Sequence, residues 1–168
     1  MEEADVVRAE HDIRRRSGDL DIDFEATAVV ANVYRVATGI RYHMESGILA
    51  EYRLSWTAFV SLFVLWVWGP LESRRLAAEV GITKGTLTGV VKTLERRGLC
   101  RREAHESDGR LVVVSLTGAG ASVIEEVFPK FNEQEAEVTG CLSEAERVAL
   151  AQGLRKILRG LELLDNAG

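Results

Sequence analysis

The chain has 168 residues, 46% of them hydrophobic, and a net charge of −5 at neutral pH. This length suits one compact domain or two small coupled ones. The most apolar run, residues 56–68, is shorter than the roughly 20 residues that a helix needs to cross a bilayer. The first residues are acidic, whereas a secretory signal begins with basic ones. We therefore expect a cytoplasmic protein that does not bind a membrane.

The N-terminal third predicts a charged extension and two helices. The extension covers residues 1–23 and can form a short helix over Ala4–Arg16. A long helix follows from Phe24 to about Ala50, and Ser55 is placed to cap the next helix, Trp56–Trp68. The long helix has an apolar stripe at helical spacing, made of Val29, Val33, Val36, Ile40 and Gly47.

Residues 69–117 predict two short helices and a two-stranded ribbon with a hydrophilic tip at residues 105–110. These four elements cover Glu72–Val80, Thr83–Arg97, Leu99–Glu103 and Leu111–Leu116. Gly98 follows the second helix, as glycine often does at a helix end. This order of elements is typical of a winged helix-turn-helix.

The second of these helices has two different faces. Its apolar face consists of Ile82, Leu87, Val90, Val91 and Leu94, and its opposite face of Gly85, Thr88, Gly89, Lys92 and Arg96. A face of small, hydroxyl-bearing and basic residues suits a helix that lies in the major groove of DNA. Each glycine costs about 1 kcal/mol of helix propensity relative to alanine. That cost is easiest to understand if the backbone approaches DNA closely.

The charge distribution also fits a DNA-binding segment. Residues 84–110 contain seven Lys or Arg and four Asp or Glu, a net charge of +3. Residues 1–27 contain nine acidic residues and four arginines, a net charge of −5. A basic patch on an acidic body can still neutralise phosphates.

The C-terminal part predicts two further helices. Thr117 can cap a helix from Gly118 toward Thr139, which Pro129 should kink or divide. Residues 143–146 form a capping box for a last helix that ends at about Leu164. Its apolar residues are Val148, Leu150, Leu154, Ile157, Leu158 and Leu161. Because the small winged domain cannot cover all these apolar stripes, we expect a two-fold homodimer.

The segment GPLESRRLAAEVGITKGTLTGVVKTLERRGLCRREAHESDGRLVVVSLT resembles the DNA-binding domain of the MarR (multiple-antibiotic-resistance regulator) family. Its most specific part is the wing motif Asp108-x-Arg110 followed by Leu116-Thr117, and the resemblance covers roughly residues 50–125. It implies a mainly α fold with a small β-wing. The winged helix-turn-helix would occupy residues 55–117, and the dimerisation helices residues 24–54 and 118–168. It also implies a homodimer that binds double-stranded DNA at a pseudo-palindromic operator.

The DNA-binding candidates lie on the second helix and on the wing. Arg110 can place a guanidinium in the narrow minor groove, where Asp108 would orient it; the alternative is a plain surface salt bridge. Thr83 can cap its helix and also contact a phosphate. The other candidates, for which a solvated surface is the alternative, are Lys84, Thr86, Thr88, Lys92 and Arg74. Family members often carry other residue types at Gly89 and Lys92, so the bases read are not predicted.

The resemblance also implies a small-molecule pocket beside the long helix and the helix after it. Aromatic residues beside a cation suit a flat anionic ligand, such as an aromatic acid or its coenzyme A thioester. The candidate ligand-binding residues are Trp56, Arg41, Tyr42, His43 and Phe59. Each of these aromatics can instead belong to the core.

No catalytic motif, cofactor fingerprint or metal-ligand spacing is found, and the three histidines lie in separate segments. We therefore expect no enzyme activity, no cofactor and no metal. Cys100 and Cys141 are predicted to be small buried residues of a reducing compartment. The main hypothesis is a repressor released by a ligand. The alternatives are a DNA-binding factor without an effector and a winged protein-interaction module that has lost DNA binding.

Overall fold

The computed structural model describes residues 3–104 and 111–165, and within these ranges the chain forms eight helices and three strands. The helices are α1 (Glu3–Ser17), α2 (Phe24–Ser46), α3 (Ile48–Glu51), α4 (Trp56–Trp68), α5 (Ser73–Val80), α6 (Lys84–Arg96), α7 (Gly118–Val138) and α8 (Glu144–Asp165). The strands are β1 (Leu71–Glu72), β2 (Cys100–Ala104) and β3 (Val112–Leu116). This architecture confirms the predicted mainly α fold with a small sheet. Two compact units make up the chain, Met1–His43 and Met44–Gly168.

The first unit contains α1 and most of α2. The Asn32 amide donates a hydrogen bond to Glu10 over 3.0 Å, and the Arg14 guanidinium lies 5.1 Å from the centre of the Phe24 ring. These two contacts join α1 to α2. The predicted stripe on α2 is largely exposed, since Val29, Val33 and Val36 all face solvent in the single chain.

The predicted continuous helix to Ala50 is wrong at one point, because α2 ends at Ser46 and α3 begins at Ile48. Gly47 between them has φ −94° and ψ −118°, which is not helical. The break allows Ile48 and Leu49 to be buried together with Met44. Tertiary burial therefore overrides the local helical pattern.

Helix α4 forms the centre of the second unit and packs against α5, α6, α7 and β3. The Ser55 cap is confirmed, since its hydroxyl accepts a hydrogen bond from the Ala58 amide at 3.2 Å. This helix is buried for most of its length, whereas its last turn, residues 66–68, is exposed. Among the described residues no single helix has the length and apolar character to span a membrane. The stretches Phe24–Glu51 and Trp56–Trp68 meet this length and apolar requirement only when they are taken together, as a pair bent by 74°.

The sheet has three strands in the order β1-β3-β2, all antiparallel, where the sequence predicted two. Leu71 pairs with Val114 and Glu72 with Val113, so Glu72 belongs to a strand and not to the following helix. A two-residue strand carries no readable alternation, and its partner lies about 40 residues away in the chain. The central strand β3 covers the core with the fully buried Val114.

Helices α7 and α8 begin at the predicted caps. The Thr117 hydroxyl accepts from the Gly120 amide at 3.1 Å, and the Ser143 amide donates to the Glu146 carboxylate at 2.8 Å. The predicted division of α7 at Pro129 is wrong, because the helix runs unbroken past it. Val127 and Phe131 are buried on either side of Pro129, and their packing offsets the lost backbone hydrogen bond.

Candidate nucleic-acid interface

A tight turn between α5 and α6 sets the position of α6, the helix predicted to read DNA. Gly81 adopts a left-handed conformation with φ 73°, which glycine tolerates without a steric penalty. The Ile82 amide donates to the Ala77 carbonyl at 3.0 Å, and the Thr83 hydroxyl accepts from the Thr86 amide at 3.1 Å. The predicted capping role of Thr83 is therefore confirmed.

The predicted faces of α6 are confirmed. Leu87, Val91 and Leu94 are almost fully buried against the core. The opposite face is exposed along the helix and consists of Lys84, Gly85, Thr86, Thr88, Gly89, Lys92 and Arg96. The Thr88 hydroxyl donates to the Lys84 carbonyl at 2.9 Å, so its oxygen can accept a hydrogen bond from outside. Helix α6 thus presents small groups, hydroxyls and ammonium groups together.

A groove of about 280 Å³ runs between α5, α6 and the sheet, and three cations line it. Arg74 and Lys84 were predicted as DNA contacts, and the structure brings them together with Thr88 in this groove. Arg102 was not predicted. It reaches the groove from β2, and its guanidinium pairs with the Glu95 carboxylate at 2.5 Å. The hydrogen bond from Arg102 lowers the pKa of Glu95.

The wing candidates Asp108 and Arg110 lie outside the described residues, so their role stays a prediction. The strands that lead to them are described. The register pairs Cys100 with Leu116 at one end of the ribbon and Ala104 with Val112 at the other. The ribbon therefore leaves the core toward residues 105–110.

The glycines on the exposed face of α6 are not required by the fold. A Cβ at Gly89 would have no heavy atom within 4 Å, and a Cβ at Gly85 would meet only the Thr83 hydroxyl, at 3.8 Å. Both residues have negative φ, which any residue adopts in a helix. The interior of the protein therefore supplies no reason for the absence of side chains here.

Replacing Gly89 with alanine should raise the free energy of unfolding by about 0.5–1 kcal/mol, because alanine is the better helix former. The same change should weaken operator binding, because the added methyl group would lie between helix α6 and the major groove of the DNA. Thermal unfolding and DNA titration measure the two effects. Gly39→Ala, at an open position within α2, is the control that should raise stability alone. Unchanged operator affinity of Gly89→Ala would remove the case for close backbone approach.

The candidate ligand-binding residues lie in both units. Arg41, Tyr42 and His43 are exposed on α2 in the first unit, with Tyr42 74% exposed. Trp56 and Phe59 lie on α4 in the second unit, where both rings face Phe131 of α7, at 5.8 and 4.3 Å between centroids. Phe59 is only 3% exposed and packs in the core, whereas Trp56 is partly accessible.

The two cysteines differ in environment. Cys100 is buried at the start of β2, as predicted, and burial, with a smaller contribution from Glu95, raises the pKa of its thiol to about 11. The thiol therefore stays protonated and unreactive near neutral pH. The prediction of burial is wrong for Cys141, which is exposed. It lies in the turn between α7 and α8.

Comparison with known proteins agrees with this geometry. The family model described as MarR family matches residues 54–112. The HTH-type transcriptional regulator YwaE of Bacillus subtilis is 39% identical, and the match covers 92% of each chain. The chain therefore belongs to the MarR family of DNA-binding transcriptional regulators.

Two further relatives have a more specific description. The transcriptional repressor NicR of Pseudomonas putida is 32% identical, over 66% of this chain and 68% of its own. A solved structure concerns BpsR of Bordetella bronchiseptica and the regulation of its DNA binding by 6-hydroxynicotinic acid. That structure is 29% identical, with a TM-score of 0.70, and covers 77% of this chain and 97% of BpsR.

Proposed function

We propose that the protein is a homodimeric repressor that binds a pseudo-palindromic operator and releases it when a small aromatic acid binds. The observation that carries the DNA-binding part is the exposed face of α6 beside the groove that Arg74, Lys84 and Arg102 line. Helix α6 would lie in the major groove, with Thr86, Thr88 and Lys92 toward the bases and phosphates. Thr83 would contact a phosphate at the helix N-terminus.

The wing would add contacts in the adjacent minor groove. Arg110 is the residue proposed to enter it, and Asp108 the residue that orients the guanidinium. Because a dimer carries two such domains, its operator would contain two half-sites about 10 base pairs apart, or at a similar spacing. Apolar residues on α8 that face solvent in the single chain support the dimer, among them Leu158 and Leu161, which are 60% and 52% exposed. A monomer in water would leave them unpartnered.

Replacing Arg110 with alanine should weaken operator binding by about 1–3 kcal/mol with little change in melting temperature, because the residue is predicted to belong to the wing and not to the core. Lys92→Ala should weaken binding to every sequence and flatten the salt dependence, as the loss of a phosphate contact does. Titrations of operator and unrelated DNA over a salt series separate the two effects. The wing assignment is wrong if Arg110→Ala binds the operator like the unchanged protein.

The effector is proposed to be an aromatic carboxylate or its coenzyme A thioester. The support is twofold: the regulation of BpsR by 6-hydroxynicotinic acid, and the partly accessible aromatic ring of Trp56 in the second unit. Arg41, Tyr42 and His43 of the first unit stay predicted ligand-binding residues. Phe59 would contribute from behind, as part of the core that supports Trp56. A ligand that weakens DNA binding must itself be bound more weakly by the DNA complex, by the same factor.

A screen of hydroxynicotinates, benzoates, hydroxycinnamates and their coenzyme A thioesters should yield a compound that raises the melting temperature and releases operator DNA. Trp56→Ala should abolish both effects. Trp68→Ala is the matched control, because Trp68 is exposed at the other end of the same helix. If no compound acts on a protein that binds its operator, the alternative of a DNA-binding factor without an effector is favoured. If the folded protein binds no DNA, the protein-interaction module is favoured.

A further inference from the structure

The C-terminal end of α6 is joined to a turn more than 40 residues earlier in the chain. Arg97, which caps α6, donates from Nη1 to the carbonyl of Arg53 at 2.7 Å and from Nη2 to the carbonyl of Tyr52 at 2.8 Å. Both carbonyls belong to the short turn between α3 and α4. A guanidinium that spans two carbonyls in this way fixes direction as well as distance.

This turn is conformationally unusual. Arg53 has φ 52°, and it is the one non-glycine residue with a positive φ in the part of the chain that the structure describes. Side chains disfavour this left-handed region, so a residue stays there only where its surroundings hold it. The Leu54 amide donates to the Leu49 carbonyl at 2.9 Å on one side, and Arg97 binds the carbonyls on the other. The strained turn is held from both sides.

Tyr52 continues the connection to α7. Its hydroxyl donates to the Glu126 carboxylate at 2.7 Å and accepts from the Lys130 ammonium group, which also lies 5.2 Å from the centre of the Tyr52 ring. Glu126 and Lys130 are one turn apart on α7 and pair with each other. The hydrogen bond with Tyr52 lowers the pKa of Glu126 and raises that of Lys130, so both groups are charged at neutral pH.

We propose that Arg97 and Tyr52 are positioning residues that fix the recognition helix α6 relative to α7. Arg97 ties α6 to the turn, and Tyr52 ties the turn to α7. The inference rests on the proposed operator binding by a dimer, in which α7 belongs to the helices predicted to pair. The link would then set the distance between the two recognition helices. Sites that read a defined geometry need their groups held to about 0.5 Å.

The same arginine has a simpler possible role as one more phosphate contact on a basic surface. The two roles predict different losses. Replacing a positioning residue lowers the affinity for the operator, where both recognition helices must fit, and leaves the affinity for unrelated DNA unchanged. Replacing a phosphate contact lowers the affinity for all DNA and changes the slope of affinity against salt.

Arg97→Lys tests this directly, because lysine keeps the charge and cannot span two carbonyls. We expect operator affinity to fall roughly tenfold, with unrelated DNA and the salt slope unchanged. Arg15→Lys is the control for loss of the guanidinium shape: its exposed side chain pairs with Asp12 of the same helix, at 2.7 Å, and α1 carries none of the residues proposed to bind DNA, so it should lose nothing. Tyr52→Phe keeps the Tyr52 carbonyl and removes the hydroxyl, and should cause a similar selective loss.

The double variant completes the experiment. Because the two contacts act in series, Arg97→Lys with Tyr52→Phe should lose little more than either alone. Equal losses on both kinds of DNA, additive losses, or no loss in Tyr52→Phe would overturn the proposal. Tyr52→Phe keeps it testable if Arg97→Lys does not fold. Absence of operator binding by the unchanged protein would instead contradict the proposed function, so the two failures are distinguishable.

Discussion

Gly120→Ala is expected to destabilise the protein by about 3 kcal/mol or more, because a Cβ there would overlap the backbone of Leu99. It would lie 2.9 Å from the Leu99 carbonyl carbon and closer still to its oxygen, and 3.1 Å from the Leu116 side chain. Backbone atoms cannot rotate away as a side chain does. This contact joins the start of α7 to the base of the ribbon.

The same joint contains Thr117, whose hydroxyl donates to the Gly98 carbonyl at 2.6 Å and accepts from the Gly120 amide. The matched control is Gly118→Ala, two residues earlier in the same helical turn, where a Cβ would have no heavy atom within 4 Å. Chemical denaturation should show a much lower midpoint for Gly120→Ala and an almost unchanged one for Gly118→Ala. Similar midpoints for both variants would contradict the described packing of α7.

Leu158→Glu combined with Leu161→Glu should convert the proposed dimer into monomers and abolish tight operator binding. Each dimer would otherwise bury four carboxylates, at a cost of several kcal/mol each. A monomer contacts only one half-site, so its affinity for the operator should be lower than that of the dimer by roughly 100-fold or more. Light scattering and DNA titration measure the two effects.

The control for this variant is Lys156→Glu, at an exposed position of α8 that helical geometry places on the other side from Leu158 and Leu161. It should remain dimeric. Deleting residues 143–168 is the harsher version, and it should leave unfolded or aggregated protein because apolar stripes on the rest of the dimer would lose their partner. A well-behaved folded monomer after that deletion would contradict the expected loss of folding, and a folded dimer would show that α8 does not form the interface.

Features decided by a few neighbouring residues were predictable. Ser55, Thr83, Thr117 and Ser143 each cap the predicted helix, because a cap needs only a side-chain oxygen next to free amides. The two faces of α6 were predictable for a similar reason, since helical spacing alone assigns them.

Features decided by distant contacts were not predictable. The strand Leu71–Glu72 exists only because β3 pairs with it, and the break at Gly47 follows from burial of the residues after it. The hydrogen bonds from Arg97 to the carbonyls of Arg53 and Tyr52 join residues that are 44 and 45 positions apart in the chain. In the sequence Arg97 is one arginine of a basic run. Its partners are backbone carbonyls, which every residue has, so the sequence carries no signal for the contact.

Only part of the candidate site was predictable from the sequence. Arg74, Lys84 and Thr88 were identified from their helices, and the structure brings all three to one groove. Arg102 was missed because its participation depends on the ribbon, which folds back beside α6 and pairs it with Glu95. The alternation of exposed and buried positions along β2 offered no guide, since only Cys100 is buried there.

Operator recognition by a dimer can be tested by equilibrium binding of the purified full chain to DNA selected from a random pool. We expect a selected site with two inverted half-sites, bound by one dimer at least roughly 1,000-fold more tightly than unrelated DNA. The affinity should fall linearly with salt on a double logarithmic plot. Selection of no common sequence by a folded dimer, or equal affinity for all DNA, would contradict sequence-specific operator binding.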